Sequence, residues 1–128
     1  MVSMSAAVDT RSLEAPHLAT ELPGPNARAV IERDERFSST SLTRVYPLVV
    51  ARGEGAVIED VDGNRFLDFN AGIAVNAAGH NHPAVTAAVQ AQAADCLHYC
   101  SSDFYHPSYA DLCERLAESV PMQPARVF

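Results

Sequence analysis

An Asp62-Gly63 pair separates the run Ala56-Val57-Ile58-Glu59-Asp60-Val61 from Arg65-Phe66-Leu67-Asp68-Phe69, and nothing else in the 128 residues restricts the fold as strongly. Glycine accepts the positive φ that a tight hairpin turn demands, so the two β-branched and aromatic runs are expected to fold back on each other. Ahead of them, Tyr46-Pro47-Leu48-Val49-Val50-Ala51-Arg52 is also strand-like and is expected to stop at Gly53-Glu54-Gly55. Together these predict an antiparallel meander with Val57, Phe66 and Phe69 packing on one side. Asp60, Asp62 and Asp68 cluster on it. They are read as turn formers and not as an acid–base pair, because turns select Asp for its bonds to nearby backbone.

Helices flank the meander. Residues 1–23 are rich in Ser, Ala, Thr and Pro without an apolar period and are expected to be a mobile arm, with structure beginning near Gly24. Ala27, Val30 and Ile31 give Asn26 to Phe37 one apolar face, and Ser38 to Thr43 is a polar linker. The small apolar run Asn70 to Gly79 suits a close approach of backbone to another strand or a ligand. His82-Pro83 starts a helix reaching about Ala94, with Val85, Val89, Gln92 and Cys96 at helical spacing. Leu97 to His106 reads as an extended, partly buried connection. A second strong period, Tyr109, Leu112, Cys113, Leu116 and Val120, predicts a helix from Pro107 that Pro121 and Pro124 end. Ala125 to Phe128 reads as the entry into a strand, so the chain is expected to be a piece of a longer α/β protein.

Charge and side-chain chemistry narrow the function classes. The net charge is −7, and every one of the nine basic side chains is arginine, scattered singly. Phosphate backbones are repelled by such a surface, so nucleic acid is not expected as a partner. No signal peptide and no membrane span is expected, and the compartment is read as the cytoplasm. Cys96, Cys100 and Cys113 are an odd number without CxxC spacing and read as plain thiols. His80 and His82, with His98 and His106, lack the carboxylate partners of a catalytic zinc site and read as structural, so no metal is expected. Gly53-Glu54-Gly55 lacks the following helix of a phosphate loop.

The order of these features carries more than any one of them. Gly53-Glu54-Gly55, then Asp60-Val61-Asp62-Gly63-Asn64-Arg65-Phe66-Leu67-Asp68-Phe69, then Ala71-Gly72-Ile73-Ala74-Val75-Asn76, then Gly79-His80-Asn81-His82-Pro83 with Ala88, Val89 and Gln92 beyond, resembles the N-terminal region of class III aminotransferases. This is the pyridoxal-phosphate family of acetylornithine, ornithine and 4-aminobutyrate aminotransferases. The resemblance covers about Leu22 to Phe128.

The resemblance implies an α/β architecture, the N-terminal segment of the type I pyridoxal-phosphate transferase fold: residues 24–80 as small-domain helix and β-meander, 81–128 as the start of the large cofactor-binding domain. It implies pyridoxal 5'-phosphate as cofactor, an amino acid or ω-amine donor, a 2-oxo acid acceptor and a homodimer. No catalytic or cofactor-binding residue is assigned within these 128 residues. The chain has no lysine, and arginine cannot form the Schiff base because it stays charged. The chain alone is therefore expected to be inactive. What the resemblance leaves to it is a substrate-side wall: Gly72, Ile73, Ala74 and Val75 lining the entry to the active site, with Ile73 helping to choose the donor, or else packed as plain core. Arg44 and Tyr46 are candidates to approach a substrate carboxylate, which Arg binds in bidentate fashion, against a surface or packing role. Racemase or aminomutase chemistry on the same fold, and a non-catalytic module binding a partner through an apolar surface, remain as alternatives.

Overall fold

The computed structural model describes residues 14–128, in the order helix, three strands, one short turn of helix, and two further helices. The chain divides into two compact units between Thr86 and Ala87.

The first unit is built on the expected meander. Strands β1 (Val50–Glu54), β2 (Val57–Asp60) and β3 (Arg65–Leu67) form one antiparallel sheet in the order β1-β2-β3. The first strand begins later than its composition predicts and runs through Gly53 and Glu54 instead of stopping there. Its register shifts between Val50 and Arg52, the mark of a bulge. Gly63, at φ 83°, makes the predicted hairpin turn.

Register corrects the expected packing face. Val57 stands opposite Leu67, whereas Ile58 stands opposite Phe66. Side chains alternate along a strand, so Val57 and Phe66 lie on opposite faces of the sheet. Phe69 lies past the end of β3 and is exposed.

Nor is the leading segment a free arm over its described part. His17 exchanges two backbone hydrogen bonds with Arg65, at 2.9 and 2.7 Å, and so covers the outer edge of β3. Beside it the Ala19 and Thr20 amides donate to the Asn64 side chain at 2.8 and 2.9 Å. Residues 1–13 of the predicted arm lie outside the described residues.

Helix α1 (Pro25–Phe37) begins one residue before the expected position, with Pro at its first turn. Its own N-cap, Gly24, offers no side chain. The cap comes from the hairpin instead: Asp62 accepts from the Asn26 and Ala27 amides at 2.9 and 2.8 Å. Ala27 is the one fully buried apolar residue among the described residues. The deepest side chain is polar. Asn64 is 0% exposed, bonded to Asp60 Oδ2 at 2.8 Å and Thr20 Oγ1 at 3.0 Å, while the buried Asp60 accepts the Asn64 and Asp62 amides at 2.8 and 2.9 Å. One polar knot thus joins the arm and the hairpin, and Asp62 extends it to α1.

Past the sheet comes a short turn, α2 (Ala71–Ala74), and then α3 (Pro83–Asp95), which crosses into the second unit. That unit continues with α4 (Pro107–Ser119). The segment between them is not extended: Asp103 and Phe104 amides bond back to Cys100 O, and the Tyr99 and Phe104 rings lie 4.8 Å apart. The apolar stripe of α4 falls where its period predicts, yet Tyr109, Leu112 and Leu116 are each about half exposed. Residues 125–128 form no strand.

A candidate donor-side wall at a left-handed turn

The small apolar run that sequence alone leaves without a defined shape is a turn of reversed hand. Ala71, Gly72, Ile73 and Ala74 all have positive φ, at 46°, 63°, 64° and 60°. The Ala74 amide bonds to Asn70 O at 2.9 Å, and the Val75 and Asn76 amides bond to Ala71 O at 3.0 and 2.9 Å. For L-residues this conformation crowds Cβ against carbonyl oxygen, at about 1–2 kcal/mol per residue for Ala71, Ile73 and Ala74. Strain of this kind persists only where the surroundings over-determine it, and it concentrates where a side chain must be aimed. Here Ile73 is 82% and Val75 80% exposed, so neither is core of the described residues.

What holds the turn is a cluster of three side chains. Asp68 Oδ1 accepts the Ala71 amide at 2.9 Å, and Asp68 Oδ2 lies 2.6 Å from His80 Nε2. The Asn76 amide satisfies its neighbours only with its oxygen toward the imidazole. That oxygen then accepts from His80 Nδ1 at 3.0 Å, and its nitrogen donates to Gly79 O at 2.9 Å. The His80 contact, helped by the Ala71 amide, holds the Asp68 carboxyl below its ordinary value of 3.8. A small cleft of about 190 Å³ is lined by Asp68, Ala71, Asn76, Gly79 and His80 with Gly55 and Ala56.

Arg44 and Tyr46 lie elsewhere in the same unit. Both line a cleft of about 460 Å³ between α1 and residues 44–50, with Val30 and Ile31 on its helical side. Arg44 is engaged by Asp34 at 3.3 Å and Tyr46 is exposed. Among the described residues no hydrogen bond or ion pair joins either one to Gly72–Val75. The candidates therefore fall into two groups, and the structure itself does not draw them into one pocket.

Sequence reasoning missed the Asp68–His80–Asn76 cluster. Asp68 was legible as a turn former and His80 as a hydrogen-bonded structural histidine, but nothing local pairs residues 12 apart. Pyridoxal phosphate, which the resemblance implies, does not fit these residues alone. The chain has no lysine for the covalent anchor, and each of its three long helices opens on proline, which removes one of the N–H groups that bind phosphate at a helix N-terminus. Among the described residues no group of His, Cys, Asp and Glu could hold a metal ion. No helix of the described residues is long and apolar enough to cross a membrane.

Comparison with known proteins extends the picture. The chain is 42% identical over 106 residues to an acetylornithine aminotransferase of Methanosarcina acetivorans, covering 81% of this chain and 26% of that protein. It is 38% identical over 104 residues to a 4-aminobutyrate aminotransferase of Mycobacterium tuberculosis, with 81% and 23% covered. An alanine/serine racemase of Pyrococcus horikoshii is 37% identical over 117 residues, 90% of this chain and 24% of that protein. The chain thus spans about a quarter of the length of the curated relatives it matches. Among solved structures, an omega-transaminase from Sphaerobacter thermophilus superposes with a TM-score of 0.67 at 35% identity, over 78% of this chain and 24% of that one. Residues 38–128 match the profile described as Aminotransferase class-III, and with that the chain belongs to the class III aminotransferase family.

Proposed function

We propose that this chain supplies the donor-side wall of a pyridoxal-phosphate-dependent aminotransferase, which moves an amino group from an amino acid or ω-amine to a 2-oxo acid. When bound, the cofactor would supply the electron sink, and residues other than these would hold it. This chain's own part is to position and to exclude. The observation that carries the reading is the strained turn, which presents Ile73 and Val75 outward on a backbone that local propensity disfavours. A branched aliphatic side chain at position 73 leaves room for a donor without a bulky group at that point, and Gly72 and Ala74 keep the wall thin. Arg44 and Tyr46 are the second candidates, for a substrate carboxylate that would have to compete with Asp34 for the Arg44 guanidinium. In this reading residues 81–128 begin the large domain, and the enzyme works as a cytoplasmic homodimer. Sedimentation of a full-length protein carrying these residues as a monomer would remove the dimer.

A graft tests the wall. Residues 38–128 replace the matching stretch of the Sphaerobacter thermophilus omega-transaminase, and kcat/KM is measured for a small and a bulky amine donor. Ile73→Tyr is expected to change the ratio between the two donors by about tenfold, which is about 1.4 kcal/mol of differential transition-state binding. An unchanged ratio sinks the reading.

One observation favours a second reading. The alanine/serine racemase aligns over a longer stretch of this chain than do the acetylornithine and 4-aminobutyrate aminotransferases above. Inversion of L-alanine by the same graft without consumption of a 2-oxo acid would select it.

A further inference from the structure

We infer that His80 is the positioning residue of the left-handed turn: its imidazole ties the side chain that opens the turn to the side chain that closes it, and so fixes how Ile73 and Val75 face the donor. This rests on the reading of residues 72–75 as a donor-side wall.

The four residues of the turn are Ala, Gly, Ile and Ala, so none carries a side chain able to bond its own backbone. Support has to come from outside. Asp68 gives one oxygen to the Ala71 amide and the other to His80 Nε2. Asn76, whose amide closes the turn on Ala71 O, gives its side-chain oxygen to His80 Nδ1. One ring therefore reaches both ends, which neither Asp68 nor Asn76 does alone.

The ring is in turn fixed to the sheet. His80 exchanges two backbone bonds with Gly55, at 2.8 and 3.0 Å. A methyl group on Gly53 would lie 2.7 Å from the ring's Cγ, so the imidazole rests on β1 at a place only glycine leaves open. Rigidity passes from β1 through His80 to both ends of a backbone that would otherwise relax. The two ring nitrogens face Asp68 Oδ2 and the Asn76 side-chain oxygen on opposite sides of the imidazole, and glutamine, whose two N–H groups share one nitrogen, cannot span them in the same way.

Amide hydrogen exchange on the 128-residue chain tests the link. His80→Ala, Asn76→Ala and Gly53→Ala, the last displacing the ring without removing any bonding group, are each expected to speed exchange at Ala74, Val75 and Asn76 by about tenfold or more, with the Asp60 and Arg65 amides within about twofold. Unchanged turn amides, or equal acceleration at Asp60 and Arg65, overturn the inference. In the graft, His80→Gln is expected to shift the ratio of kcat/KM between small and bulky donors by about fivefold, where a merely structural loss lowers both alike. If Ile73→Tyr shifts that ratio and His80→Gln does not, the positioning role of His80 falls while the donor-side wall stands. If neither shifts it, the wall itself falls.

Discussion

Replacing Asn64 by alanine should detach the leading segment from the hairpin. The Asn64 side chain accepts the Ala19 and Thr20 amides and donates to Thr20 Oγ1 and Asp60 Oδ2, all at 2.8 to 3.0 Å. These losses are unequal. Ala19 is exposed and Thr20 half-buried, so water takes over their groups at about 0.5 kcal/mol each. Asp60 is 3% exposed, and its Oδ2 loses a bond from within, at about 1.5–3 kcal/mol for a charged acceptor. The expected cost is about 3 kcal/mol, or two decades in the exchange rate of the Ala19, Thr20 and Asp60 amides. Asn64→Asp separates the two contributions. It keeps the acceptor for Ala19 and Thr20 but sets a second carboxylate against Asp60, so at neutral pH it should cost at least as much as alanine and recover part of the loss in acid. Native-state hydrogen exchange on the three proteins is the assay. Protection in Asn64→Ala within a factor of about three of the parent, under 1 kcal/mol, would refute the claim that this polar knot anchors the segment.

Two further outcomes follow from side chains that act across the chain. Asp62→Ala removes the side-chain cap of α1 seen among the described residues and should lower its stability by about 1 kcal/mol, read as faster exchange in the first turn of α1, with Asp62→Asn recovering about half; no change would mean that water caps the helix equally well. Glu59 stands between Arg52 and Arg65 across the sheet, bonded to Arg52 at 2.9 and 3.0 Å and 3.6 Å from Arg65. The Arg52 contact holds its carboxyl below the ordinary 4.5, so its contribution is present above that value and is lost as pH falls through the lower folded one. Glu59→Gln should therefore cost about 0.5–1 kcal/mol near neutral pH in low salt and nearly nothing in strong acid, as followed by urea unfolding across pH; a cost independent of pH would refute the pairing.

The meander was legible in the sequence because its causes are local. Asp62-Gly63 between two β-branched runs dictates a hairpin whatever surrounds it, and Pro83 and Pro107 mark helix starts through their missing N–H. Which face Phe66 occupies was not legible, since a one-residue difference in register exchanges the faces and only the pairing of Ile58 with Phe66 decides it. Asn64 was hidden for another reason. Its composition says turn, and its burial follows from Ala19 and Thr20 folding over it from 44 residues away or more. The reversed hand of Ala71–Ala74 runs against local propensity, for alanine and isoleucine disfavour positive φ, and no reading of the run alone would assign it.

That last mismatch bears on the candidate site. Where local preference and observed backbone agree, a segment needs no explanation beyond its own sequence. Residues 71–74 disagree with theirs, and the groups that settle the conflict are the ones a sequence places apart: Asp68 before the turn, Asn76 and His80 after it, and Gly53 on a strand of the sheet. A wall meant only to fill space could be an ordinary right-handed turn at lower energy. The left-handed one turns Ile73 and Val75 outward while its own backbone bonds close inward on Asn70 and Ala71. The strain is therefore the structural argument for putting donor discrimination at Ile73 ahead of Arg44 and Tyr46, whose backbone is unstrained and whose one charged group already has Asp34 as its partner.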